Sequence, residues 1–511
     1  MTARSPIQAH WLLIAVVLLS ALAFWTFPAF TTVDGATHAY TARMILDRWA
    51  GHPDPNTDLN SYWVPNALGH YALLALQVVL SPELAERVLV FLLLLGPGLG
   101  MVRLCRSMGR SDPWPILFVL PFCYSFLLLM GFFNFLLGMT LGLFLLAFDV
   151  RRAPLNRRHA IIFVLASLVV LWSHAMAFFF VALVHSILGL ARFLNERGGT
   201  STGARWREVL GTSVLILPGA LLFLLFTGEQ STQWGDISLM TNLYDLKNIR
   251  SLLLYSFIQE NAFNAVIGAL LAVFLIKGAW DRLASKAPFG TPGDALLISV
   301  VVLLVLYFLV PDSTGYASYI TQRLQLMMAF LLIAWIAVVT SSDRWSFALL
   351  MVLLAAHGLR INYISDLMAP FRHQRLAMAE ASRALSLGAT VLPINFEPEW
   401  LKGHQGAELG LYNEVHVLDN YECSMGYFPL VWRKDLPSPL YWHLMTATDK
   451  QCFEWLQDYV DAKETPAMDQ IALIGPVDSA SCKARNVLPI LAAHYQQTFD
   501  NGYVQVFTLK R

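Results

Sequence analysis

Apolar stretches of membrane-spanning length, separated by short segments that carry arginine and lysine, constrain this chain more than any other feature. Windows 11–30, 84–104, 114–131, 132–149, 159–173, 174–194, 210–227, 261–277, 295–310, 323–340 and 345–360 are apolar and long enough, or nearly so, to cross a bilayer as helices. Composition agrees, because 56% of the 511 residues are hydrophobic, only 14% are charged and mean hydropathy is +0.54. A soluble domain typically has about a quarter of its residues charged. The expected class is therefore an α-helical polytopic membrane protein of about eleven spans.

Orientation follows from where the positive charge falls. Arg103/Arg106/Arg110, Arg151/Arg152/Arg157/Arg158, Arg192/Arg197/Arg205/Arg207, Lys277/Arg282/Lys286 and Arg344 all land on one side if segment 66–82 is a re-entrant or juxtamembrane helix and not a span. Basic loops collect at the cytoplasmic face, so that side is inside and the N-terminus is cytoplasmic. Arg4, an apolar core and Ala21-Leu22-Ala23 have the elements of a signal peptide. The apolar run continues to Phe30 and further spans follow, so it is read as an uncleaved first helix.

Two domains result. Residues 1–360 form the transmembrane part, with a long first outer loop at 31–83, and residues 361–511 form an extracytoplasmic domain. In the latter, Phe371 to Ser386 has helical spacing, while Gly388–Asn395, Asp469–Gly475 and Tyr503–Leu509 have the look of strands, so a small α/β domain is expected. Cys452 and Cys482 are able to pair if this domain faces an oxidising compartment; with five cysteines in all, Cys423 would be left over. The compact loops suggest a bacterial inner (plasma) membrane.

The unexplained polar residues gather on the outer side. Asp34 follows the first span directly, with His38 one helical turn further on. Its bland reading is a helix cap followed by Gly35. Asp54 and Asp58 lie in a Pro/Asn-rich stretch and read as turn residues. His174 interrupts an apolar run at an outer turn and serves either a cavity or a backbone carbonyl; Asn134 is similarly placed, and His185, deeper, reads as structural. The loop from Pro311 offers Asp312, Tyr316 and then Arg323, whose paired donors suit phosphate and whose bland role is a snorkelling anchor. Glu229, Gln233, Trp234 and Asp236 form a second polar–aromatic cluster, and Tyr421-Glu422 with Gly426–Pro429 a third. No Walker loop, dinucleotide fingerprint, HExxH or CxxC is present, nor a basic stripe for nucleic acid.

With Asp34 placed in Val33-Asp34-Gly35-Ala36-Thr37-His38, the chain resembles the GT-C superfamily of membrane glycosyltransferases, which includes protein mannosyltransferases and oligosaccharyltransferases. In that superfamily an acid in the first outer loop sits just after the first span. The segment Asn66 to Leu80 looks like the short helix that follows that loop, and the layout matches over the whole chain. The resemblance implies transfer of a sugar from a polyprenyl-phosphate-linked donor to a glycan, lipid or protein acceptor at the outer face. Asp34 would be the general base, Arg323 would serve the departing phosphate, and His38 or His174 would hold phosphate or orient Asp34. The family pattern often has a second acid beside the first; Gly35 stands there, so a divalent metal is left open. Two other readings use the same residues: a transporter or flippase for a lipid-linked or polar solute, and a non-catalytic membrane assembly protein.

Overall fold

The apolar windows fold as helices, in a computed structural model that describes residues 6–110, 113–151, 156–195, 202–228, 235–315, 317–341, 343–446 and 452–510. Among these residues, 7 helices are long and apolar enough to cross a membrane: Pro82–Ser107, Phe133–Val150, Ala175–Leu194, Phe257–Ala284, Pro292–Leu309, Ile320–Val339 and Arg344–Met368. The other windows give shorter apolar helices, His10–Thr26, Trp114–Leu129 and Leu217–Thr227, together with the 17-residue helix Arg157–Ser173. Window 114–131 is interrupted at Tyr124 (φ −90°, ψ 63°), after which Ser125 caps a fresh turn. Segment 66–82 holds only the 10-residue helix Leu68–Gln77, too short to cross.

The chain divides into two compact units. The first comprises Met1–Thr26 and Val90–Ser365; the second comprises Phe27–Leu89 and Asp366–Arg511. In the first, close helix packing rests on small residues. A Cβ added at Gly138 would lie 2.7 Å from the Ala177 Cβ, and one at Gly142 would lie 2.9 Å from Val181. These glycines, four apart, let two helix backbones approach as apolar side chains would not. Breaks in the helices are secured by buried charge. Glu260 accepts the N–H groups of Leu254, Tyr255 and Ser256, and Arg360, 0% exposed, donates to the carbonyls of Pro121, Tyr124 and Leu252. Backbone freed from a helix at membrane depth needs such partners. The buried Asp149 carboxylate likewise gathers His185 at 2.8 Å and His159 at 3.4 Å, and His185 reaches the Thr212 carbonyl at 3.1 Å, a structural role as read from the sequence.

The second unit combines the first loop with the C-terminal part. Strands β1 (Thr57–Leu59), β2 (Thr390–Asn395), β3 (His416–Val417), β4 (Leu430–Trp432), β5 (Gln470–Ile474), β6 (Tyr495–Asp500) and β7 (Val504–Leu509) form a two-stranded β1–β4 pair and a five-stranded sheet ordered β3-β2-β5-β7-β6. Strands β3, β2 and β5 are parallel, while β7 is antiparallel to both β5 and β6. The three strands expected from the sequence are all present, and β2 and β5, buried almost throughout, are continuous apolar runs as parallel strands require. Pro393 is tolerated in β2 because Leu418 donates to the Val391 carbonyl on the β3 side, and β3 ends at Val417, before it would need a donor from residue 393. The helix Phe371–Ala384 also matches its sequence pattern, and Cys452 and Cys482 form a disulfide.

Candidate active site

Asp34 occupies the N-cap position of the helix Gly35–Trp49 without acting as a cap. Its backbone is αR (φ −98°, ψ −9°) and its side chain makes no capping bond; the Thr32 hydroxyl accepts the Gly35 N–H instead, at 3.0 Å. The carboxylate is thereby left for other partners in a site where Asp34 is only 7% exposed. The Tyr421 hydroxyl hydrogen-bonds it, and His404 Nε2 stands 4.0 Å from Oδ1. Tyr421 and His404 stack with ring centroids 4.3 Å apart. Burial, then the charges of Asp34 and Glu422, push the Tyr421 phenol well above its ordinary range, so it stays a proton donor to Asp34.

A second acid lies against Gly35, though it does not come from the next residue. A Cβ at Gly35 would sit 2.2 Å from Glu86 Oε1 and 2.4 Å from Thr32 Oγ1. Glu86, in the first turns of Pro82–Ser107, thus fills the space that a side chain at 35 would take. It is neutralised by Arg375, whose Nη2 donates to Oε2 at 2.8 Å and whose Nη1 donates to the Phe30 carbonyl. Burial opposes the Arg375 charge, but Glu86 and Glu408 together hold its pKa above the usual arginine range. Glu408 is pushed up to about 7, by burial first and then by the Glu86 and Glu83 carboxylates, with Arg375 opposing.

His38, one turn after Asp34, belongs to a second convergence. Its Nδ1 lies 3.1 Å from His70 Nε2, and His70 Nε2 lies 2.9 Å from Glu422 Oε1; His38 Nδ1 also contacts that oxygen. The helix Leu68–Gln77 supplies His70, and the 3₁₀ turn Tyr421–Ser424 supplies Glu422. Thr41 donates to Glu422 Oε2 at 2.5 Å, Asn420 Nδ2 donates to Thr41 Oγ1 at 3.0 Å, and Phe428 meets both imidazoles. Burial alone would raise the Glu422 carboxyl, but His70 and His38 outweigh it and hold the group below the usual carboxylate range.

Arg323, His174 and Asp312 lie in the helical unit. Arg323 is buried near the start of Ile320–Val339, with its guanidinium 4.5 Å from the Phe132 ring centroid and 5.8 Å from that of Phe135. His174 stands at the break between Arg157–Ser173 and Ala175–Asn195; its Nδ1 accepts the Met176 N–H at 3.1 Å and its ring meets the edge of Phe135 at 5.4 Å. Phe135 thus lies between the two, so the structure brings Arg323 and His174 together. Asp312 accepts both the N–H and the hydroxyl of Thr321, at 3.0 and 2.5 Å, which accounts for its carboxylate at the helix start. Tyr316, Glu229, Gln233 and Trp234 lie outside the described residues. Asp54 accepts the Asn56 N–H in a turn, as the sequence indicated, and also pairs with His416.

His70, Glu86, Arg375, His404 and the ligand-like role of Glu422 were not singled out by sequence reasoning. His70 and Glu86 carried a readable signal, an ionisable residue inside an apolar segment. His404 and Arg375 carried none, since their partners are hundreds of residues away in the chain.

No protein-family model matches this chain, and no curated protein matches it. Its fold, many apolar helices together with a small sheet-bearing unit, has counterparts among solved structures. A solved example is the arabinofuranosyltransferase AftD from Mycobacteria, whose cryo-EM structure aligns with 100% of this chain and 40% of its own at 14% identity, TM-score 0.54. A mutant form of the same enzyme aligns with 15% identity and TM-score 0.51, over 100% of this chain and 42% of its own. The chain spans about two fifths of the length of AftD, and at this identity the likeness is one of fold.

Proposed function

We propose that this protein transfers a sugar from a polyprenyl-phosphate-linked donor to an acceptor hydroxyl at the extracytoplasmic membrane face, with Asp34 as general base. The observation that carries this reading is the release of Asp34 from capping: a buried carboxylate, relieved of the helix start by Thr32, receives a hydrogen bond from Tyr421. The acceptor oxygen attacks the anomeric carbon, the bond from that carbon to the lipid phosphate breaks, and the hydroxyl proton passes to Asp34. Tyr421 and His404 position the carboxylate. A departing phosphate needs positive charge, and Arg323 is assigned that task. AftD is an arabinofuranosyltransferase, which makes arabinofuranose the first donor sugar to test.

Eleven spans are part of the same reading, counting the shorter apolar helices with the long ones. They put the N-terminus in the cytoplasm and residues 361–511 outside, where the Cys452–Cys482 disulfide suits an oxidising compartment such as the bacterial periplasm. In membranes given a labelled lipid-linked sugar, Asp34→Asn is expected to lower transfer by roughly two to four orders of magnitude at equal expression. Undiminished transfer would exclude Asp34 as the base.

A further inference from the structure

We infer that His38, His70 and Glu422 form a binding site for a divalent transition metal of the zinc type. Among the described residues this is the one cluster of His, Cys, Asp and Glu whose donor atoms converge as metal ligands do, all within 4.8 Å of one another. Two imidazole nitrogens and a carboxylate oxygen are a ligand set that zinc favours. Ligands held tetrahedrally at zinc distances stand about 3.3 Å from one another. The separations of 3.1 Å between the imidazole nitrogens and 2.9 Å from His70 Nε2 to Glu422 Oε1 are close to this, and the tighter contact of His38 Nδ1 with the same oxygen is the one that opens to seat an ion.

The surroundings are built as those of a metal site are. Thr41 fixes the second carboxylate oxygen, Asn420 fixes Thr41 through Nδ2 at 3.0 Å, and the Glu422 N–H returns to Asn420 Oδ1 at 3.1 Å. Such outer partners set the orientation of the ligands. His70 and Glu422 side chains are both 0% exposed and His38 is 5% exposed, so the donors are held in an apolar setting walled by Phe428. Three protein ligands leave the fourth tetrahedral position for water or a substrate oxygen, as in zinc sites that take part in chemistry.

Metal binding stands without the glycosyl-transfer reading. What the ion does rests on it: His38 is one turn from Asp34 and Glu422 is next to Tyr421, so the ion would hold an anionic substrate oxygen beside the base.

The test uses the full chain in detergent, stripped with a chelator and titrated with Co2+, whose visible absorption reports tetrahedral nitrogen and oxygen ligands. Wild type is expected to bind about one Co2+ per chain and to lose it to Zn2+. Glu422→Gln is expected to abolish the signal, and Thr41→Val, which keeps shape, to weaken affinity roughly tenfold to a hundredfold. Asp34→Asn is expected to bind metal as wild type does while losing transfer. Failure of folded wild type to take up metal overturns the site, as does an unchanged titration in a folded Glu422→Gln protein. Metal uptake together with intact transfer by Asp34→Asn leaves the site standing and removes the base.

Discussion

Thr32 and Gly35 together determine what Asp34 is free to do. The first satisfies the helix start, and the second leaves room for the Glu86 carboxylate. Gly35→Ala pushes a methyl group into Glu86 Oε1, on a carboxylate that Arg375 holds through its other oxygen, and is expected to cost about 1–3 kcal/mol of stability. Thermal unfolding in detergent checks this, and Glu86→Ala in the same chain should recover part of the loss. Tyr421→Phe keeps the stacking on His404 but removes the hydroxyl, and transfer should fall roughly tenfold, read as kcat with protein level controlled. At this scale the sequence was half legible. Asp34 and His38 stand out because they follow a span, but whether an aspartate caps a helix depends on whether a neighbour takes the task, and Thr32 looks no different from any other threonine until the turn is folded.

Elements of the second unit carry two buried acids that the fold holds towards protonation. Glu408, in the 3₁₀ segment Gln405–Gly410, and Asp419, just after β3, are each raised to about 7, by burial first; Lys483 opposes the shift at Asp419. Each binds its proton more tightly folded than unfolded. The stability that proton brings is complete below the ordinary carboxylate range and is lost as pH rises through about 7. Upper bounds are about 3 to 4 kcal/mol each. Melting temperature should therefore fall between about pH 5 and pH 8, and Glu408→Gln with Asp419→Asn should flatten that slope. The disulfide acts the other way round, through the unfolded chain: closing a loop of 30 residues, it is expected to contribute about 3.6 kcal/mol, which Cys452→Ser would remove at any pH. Strands β2, β5 and β7 were readable because an apolar run between turn residues has few alternatives. The two-residue β3 and the β1–β4 pair were not, because their pairing is decided by partners far along the chain.

Across the whole molecule, the basic loops make the prediction. Alkaline phosphatase fused within the segment after Arg110 or after Arg282 should stay inactive, and a fusion near residue 446 should be active; the reverse pattern would invert the proposed orientation. Spanning helices were the most legible feature of the sequence, since length and hydropathy suffice. The composition of the second unit was not. It draws on Phe27–Leu89 and Asp366–Arg511, and nothing in either stretch alone announces the other.

That division has a consequence in time. His70 and Glu422 are 352 residues apart, and ribosomes add about 5–20 residues each second, so roughly twenty to seventy seconds separate their synthesis. For most of that interval the nascent first loop presents Asp34, His38 and His70 without Tyr421, Glu422 or His404. The site is thus completed only by nearly the last third of the chain to emerge, and a product truncated before it carries Asp34 without the partners that hold its carboxylate.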